Sequence, residues 1–278
     1  MKNNFKTDNL NKKVLDFLRR AQYSKIIVLS VLFTIFTFHS FSQQIEPIQL
    51  DRPDQTETPA IVPKGYIQAE NGFLMENANS KTTNFTYPSC LWKYGINDRV
   101  ELRIITELST TKDKSNNTST SGLMPVTIGF KTNLWKEKGI IPHTSFIGHF
   151  TTANISSKSF KTNYAAPSFR FLMAHNITSK FTISYNLGAE WNGDSPEESY
   201  LYTFATGFSI TQKLGMYTEV YGFAPRSSKA WHGFDGGFTY LINNDIMLDL
   251  SGGFGLTENA PDNYIAFGFS YRFRVLGK

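Results

Sequence analysis

Between Gly65 and Phe273 apolar and polar residues alternate with period two, in runs of roughly ten residues. In the last run Ile265, Phe267, Phe269, Tyr271 and Phe273 share one face, and Ala266, Gly268, Ser270 and Arg272 the other. The run from Lys180 sets Phe181, Ile183, Tyr185, Leu187, Ala189 and Trp191 against Thr182, Ser184, Asn186, Gly188 and Glu190. Runs from Tyr200 and from Ile246 repeat the pattern. Such alternation predicts β-strands with two unlike faces, and twelve of them fit the stretch.

The connections between these strands alternate in length. The long ones are Glu76–Thr83, Leu108–Leu123, Thr152–Ala165, Asn192–Ser199, Ala224–Ala230 and Leu256–Asp262, and the short ones Gly95–Asp98, Lys136–Gly139, Asn176–Lys180, Thr211–Lys213 and Ile242–Asp245. Long loops at one end only, on strands long enough to cross a bilayer at a tilt, predict an all-β fold. It is a transmembrane antiparallel up-and-down β-barrel of about twelve strands, with both chain ends on the short-turn side. The polar face is mostly Gly, Ala, Ser, Thr and Asn with isolated charges, which suits a crowded barrel interior, whereas the aromatic and aliphatic face suits lipid. Trp191, Trp231, Tyr240 and Tyr264 near strand ends are candidates for interfacial girdles. The alternative is a soluble lipocalin-like barrel or sandwich with the apolar face in its core.

Carried through the chain, that register puts acids Glu70, Glu101, Glu190, Glu219, Asp235 and Asp249 on the inner face. The bases there are Lys93, Arg103, Lys131, Arg170 and Arg272, with His149 beside them and Tyr217 and Tyr221 flanking Glu219. A basic side chain at the lipid midplane costs about 2–4 kcal/mol, so these residues must point inward or sit near the membrane edge. The near-cancellation of their charges favours paired groups that pack the lumen and fix register, or a solute path lined by some of them.

The net charge of +5 suggests nucleic acid until it is located. The first 42 residues hold seven of the 28 bases and two of the 23 acids, so the remainder carries 21 of each and no net charge. No nucleic-acid partner is expected. Residues 1–42 read instead as a cleavable signal peptide: a basic stretch to Lys25, the apolar run Ile26–Phe38, then Ser40-Phe41-Ser42, with cleavage before Gln43. Residues 43–64 are polar and spaced by Pro47, Pro53, Pro59 and Pro63, which donate no amide to a ladder, so this segment is expected in the periplasm or folded into the lumen as a plug. The barrel then spans 65–273, with 274–278 as a C-terminal extension. Cys90 is the only thiol, so no intramolecular disulfide forms.

Several stretches taken in order resemble a known family: Asp51–Pro59 (DRPDQTETP), Val62–Phe73, Lys93–Arg103, Ile128–Trp135, Ala166–Phe171, Tyr185–Trp191, Phe234–Ile242, Leu248–Leu256 and Ala260–Phe273. The chain is similar over Leu50–Phe273 to the outer-membrane transporter family of the Bacteroidetes type labelled "putative MetA-pathway of phenol degradation". The resemblance implies a barrel that passes small, aromatic or hydrophobic compounds, and it singles out Asp51, Arg52, Pro53, Asp54, Gln55, Thr56 and Glu57 as an N-terminal motif. Gly268, Tyr271 and Phe273 resemble the assembly signal read by the barrel-assembly machinery, although this chain continues past the final aromatic through Lys278.

Catalytic chemistry has little support in the sequence. His143, His149, His175 and His232 show no metal-ligand spacing. Ser145 and His149 share a strand but lie about 13 Å apart at ~3.3 Å per residue, too far for a nucleophile and its base. The expected protein is therefore a passive channel for small solutes in the Gram-negative outer membrane. It has lipid, the assembly machinery and a small solute as partners, no cofactor, no metal and no enzymatic role. The alternatives are a plugged barrel with a structural or surface-interaction role and, less favoured, an outer-membrane lipid hydrolase.

Overall fold

The computed structural model describes residues 45–275, and the signal-peptide reading of 1–42 lies outside them. Thirteen strands are present among the described residues. They are β1 (Tyr66–Asn77), β2 (Thr82–Asn97), β3 (Val100–Asp113), β4 (Thr118–Leu123), β5 (Thr127–Trp135), β6 (His143–Thr151) and β7 (Ala166–Asn176), followed by β8 (Phe181–Trp191), β9 (Glu198–Ser209), β10 (Leu214–Pro225), β11 (Trp231–Asn243), β12 (Ile246–Gly255) and β13 (Asn263–Arg274). All pairings are antiparallel, and the ring closes where β1 pairs β13 from Tyr66↔Arg274 to Asn77↔Asn263. Twelve strands form the ring. The thirteenth, β4, pairs only with the outer half of β3 (Leu108–Asp113), while the inner half of β3 (Val100–Ile105) pairs β5. The expected loop Leu108–Leu123 is thus a hairpin extension of the wall, its two strands tied by the Thr110–Ser121 hydroxyl bond at 2.7 Å.

Two connections depart from the expected lengths. Glu76–Thr83 shrinks to residues 78–81, because the Asn79 side chain accepts from the amides of Lys81 and Thr82 and makes a tight turn. Lys136–Gly139 grows to residues 136–142, since Pro142 gives no amide to the ladder and a Lys138↔Ile141 bridge closes the turn instead. The closing strand also runs one residue past the expected end, with Arg274 in register and the Val275 amide donating to Gly65 O at 2.9 Å.

The two faces separate sharply. Along β3 Glu101 and Arg103 are 0 % and 2 % exposed, against 48 % and 47 % for Leu102 and Ile104. Exposed Phe, Leu and Ile cover the outside, including the cross-strand pairs Phe73–Phe267 and Phe181–Phe208, whose stacked rings are 5.1 and 4.7 Å apart. Of the girdle candidates, Trp191 and Tyr240 face outward, but Trp231 and Tyr264 share the inner face with Asp235 and Gly268. Their parity on β11 and β13, not their position near strand ends, decides this. Among the described residues no helix is long and apolar enough to cross a membrane, and the barrel crosses with strands.

Phe267→Arg would put a charge at the middle of β13 on the lipid face. It is expected to cost about 2–4 kcal/mol of unfolding free energy in lipid vesicles, measured by denaturant titration, while Tyr240→Arg at the strand end costs about 1 kcal/mol or less.

Candidate functional site

The barrel interior is crossed by its own N-terminal segment. Residues 46–64 form no strand, and they enter and leave at the short-turn end. At entry, Ile48 N donates to Asn244 O at 2.8 Å, and Arg272 Nη2 to Glu46 O at 2.9 Å. At exit, Gly65 N donates to Gly95 O at 2.8 Å, and the carbonyls of Val62 and Pro63 press against Gly95 where a Cβ would otherwise stand. Between these points the segment rises into the lumen. With its prolines excluding a ladder, its amides find side chains instead: Gln55 N donates to Glu219 Oε2 (2.7 Å), Glu57 N to Asn186 Oδ1 (2.8 Å) and Val62 N to Glu101 Oε2 (2.7 Å).

Asp51 is the hub. Its carboxylate accepts from Lys131 Nζ at 2.7 Å, Lys93 Nζ at 2.8 Å and Arg103 Nη1 at 3.1 Å, and also from Thr58 N at 3.1 Å. Lys93 also meets Glu70 at 2.5 Å, and Arg103 meets Glu57 at 2.8 Å and Glu101 at 3.4 Å. Three cations and the four carboxylates of Asp51, Glu57, Glu70 and Glu101 therefore share one network, and all but Glu57 have side chains no more than 2 % exposed. Buried charges persist only when paired and hydrogen-bonded, and here the segment supplies two of the carboxylates.

Arg52, Gln55 and Thr56 of the motif are engaged as well. Arg52 lies over Gly72, where any side chain would displace its guanidinium, and reaches Asp249 at 3.4 Å. Thr56 bonds Thr203 at 2.6 Å and Glu219 at 2.5 Å, and the Gln55 carbonyl accepts from Arg170 at 3.2 Å. Arg170 also pairs Glu190 at 3.3 Å.

The other expected lumen residues divide by position. Asp235 accepts from Tyr264 Oη at 2.7 Å, and Tyr217 and Tyr221 line the same wall. His149 packs beside Gly129. Arg272 is a rim residue, paired with Asp245 at 2.8 Å at the short-turn end and away from the other charges. Gly268 sits against the Asp249 carboxylate, and the Tyr271 and Phe273 rings stack outside it at 6.0 Å. Ser145 is fully buried and its hydroxyl donates to Pro59 O at 2.6 Å, so it holds the segment and is 0 % exposed. Together with Gln68, Asn186 and Thr203, it is a partner that charge counting overlooks. The available signal was an uncharged polar residue at an inward position of the alternation. Among the described residues no group of three or more His, Cys, Asp or Glu is placed to hold a metal ion.

At the opposite mouth a cavity of about 470 Å³ opens between β3, β5 and the loop 152–165, lined by Glu107, Thr127, Phe160, Lys161 and Asp194.

The sequence model of the family described as "Putative MetA-pathway of phenol degradation" matches residues 50–273. In fold, the chain is similar to an outer-membrane channel from Pseudomonas putida F1, at 12 % identity and a TM-score of 0.63, over 81 % of this chain and 100 % of that one. It is also similar to the KdgM porin in complex with disordered oligogalacturonate, at 9 % identity and a TM-score of 0.50, over 74 % of this chain and 99 % of that one. No curated protein sequence matches.

Asp51→Ala leaves Lys93, Arg103 and Lys131 short of their shared partner, a loss of about 3–5 kcal/mol for a buried pair broken on one side. The amides of Gln55, Glu57 and Val62 should then exchange hydrogen much faster in detergent, while strand amides of β8 to β13 keep their protection.

Proposed function

The chain belongs to the family described as "Putative MetA-pathway of phenol degradation", and from that membership and the lumen geometry we propose a passive outer-membrane channel for small solutes. The observation that carries the reading is the nature of the filling. Some apolar side chains are buried there, among them Ile48, Val62, Ile147 and Leu172, but buried polar and charged residues dominate. The strap is bound by hydrogen bonds and ion pairs of a kind that water can also supply. Twelve strands enclose more room than the side chains of an eight-stranded barrel fill, and less than the open water column of a sixteen-stranded one. The strap narrows what remains in the half of the lumen nearer the short turns.

In this reading the long connections and the β3–β4 hairpin face the outside of the cell, and residues 1–42 direct export. The assembly machinery reads the β13 end, and the solute is small and of aromatic or hydrophobic character. The density of bonds from the strap supports a second reading, a permanently plugged barrel with a structural or surface role.

Conductance separates the two. Removing residues 47–60 should raise the single-channel conductance of the purified barrel in a planar bilayer. It should also shift selectivity toward anions, because Lys93, Arg103 and Lys131 lose the carboxylates of Asp51 and Glu57 and face water. A bilayer that stays silent with both the intact and the shortened protein would favour the plugged barrel.

A further inference from the structure

The lumen has two unlike walls. On β2, β3 and β5 the cations close on the strap through the Asp51 network, and that side is sealed. On β10 to β13 the inward acids are Glu219, Asp235 and Asp249, with Asp54 of the strap beside the first two. Arg52 reaches Asp249 at 3.4 Å, and the wall's own cation, Arg272 of β13, is held at the short-turn rim by Asp245 at 2.8 Å.

This second wall also carries polar atoms with nothing bound to them. Tyr217 Oη, Asp235 Oδ1, Asp249 Oδ2, Ser251 Oγ and Ser270 Oγ are buried without a hydrogen-bond partner, and their residues are at most 7 % exposed. They sit on four adjacent strands with inward parity. Across the lumen Glu57 Oε2, Arg103 Nε and His149 Nε2 also lack a hydrogen bond, but there Glu57 and Arg103 face each other as an ion pair at 2.8 Å. A buried polar atom left unpaired costs about 1–3 kcal/mol, so a cluster of five marks a place where water or a solute supplies the missing bonds. Two of the five are carboxyl oxygens, which in the ionised form only accept, so a donor satisfies them in that form.

The wall is also flat and aromatic. Tyr217 lies across Gly237, Tyr221 across Gly233 and Tyr264 across Gly253, each glycine facing its tyrosine in the ladder. A Cβ at Gly237 would stand 2.7 Å from the Tyr217 ring, and one at Gly253 2.5 Å from that of Tyr264. The glycines thus let the rings lie against the sheet. Toward the long-loop mouth the surface continues in Trp231, edge-on to Tyr221 at 6.0 Å and stacked on Phe223 at 4.6 Å.

Carboxylates, hydroxyls and ring faces together suit a positive charge carried on an apolar body, the charge held by acceptors and π faces and the body by the rings. We propose that the β10–β13 wall is the solute path and that it selects cations, with aromatic ammonium ions the best fit. This rests on the channel reading above and names the solute class for it. Asp235 and Asp249 determine the selectivity, and Arg52, opposite Asp249 on the strap, sets the clearance.

The test is reversal potential in a planar bilayer across a potassium chloride gradient, with phenethylammonium and 3-phenylpropanoate as blockers of opposite charge and similar body. The intact protein is expected to prefer potassium to chloride and to be blocked by phenethylammonium at severalfold lower concentration than by phenylpropanoate. Asp235→Asn with Asp249→Asn should remove most of both preferences. Tyr217→Phe, which deletes only the unpartnered hydroxyl, should weaken the ammonium block alone and serves if the double variant does not give the heat-modifiable folded band. A conducting protein that prefers chloride, or variants that keep the discrimination of the parent, would overturn the cation path and leave the channel standing. Silence from both the intact and the strap-deleted protein would overturn the channel reading and this one together.

Discussion

Hydrocarbon offers no partner to an unpaired amide, and every feature of this chain answers to that constraint. A sheet can cross a bilayer only if it has no edge, so β1 and β13 must meet along their whole length, as they do from Tyr66↔Arg274 to Asn77↔Asn263. Closure fixes the parity of every strand. Parity in turn sends Leu102 and Ile104 to lipid, and Glu101 and Arg103 inward. Once inside, the charges need partners in their turn, and the chain supplies them from its own N-terminal side.

Asp51 is the clearest case. Lys93, Arg103 and Lys131 come from three strands and converge on one carboxylate that none of the strands carries. The strap is therefore the counter-ion of the wall as well as an obstruction in the lumen. The same charges that hold it also give the sealed side of the barrel its register, since a one-residue slip of any of these strands would turn its cation toward lipid.

Much of this was legible in the sequence because period two is a strong signal when one face meets lipid. The strand runs, the short-turn ends and the inward parity of Glu219, Asp235 and Asp249 follow from alternation alone. What alternation cannot carry is distance across the lumen. The inner charges look like partners for one another, yet the Asp51 bonds reach 42 to 80 residues along the chain into a segment with no periodicity. Trp231 and Tyr264 depart from the girdle expectation for a related reason. Aromatics near strand ends suggest a girdle, but here a cross-strand glycine makes room for Tyr264 inside, and only the register reveals that pairing. The β4 strand has no signature in the sequence, because Thr118–Ser121 is exposed throughout and carries no apolar face.

The strap has a consequence for the order of assembly. Its bonds join residues far apart in sequence: 164 positions separate Gln55 from Glu219, 197 separate Arg52 from Asp249, and 226 separate Glu46 from Arg272. Hairpins between neighbouring strands close over short loops, whereas these contacts have no binding site until β10, β12 and β13 are in place. The first described part of the chain can meet β2, β3 and β5 early through Asp51, but it completes its docking last. The barrel closes around a wet interior, its inner charges still hydrated, and the strap then displaces that water from one wall and leaves the other with oxygens still unpaired.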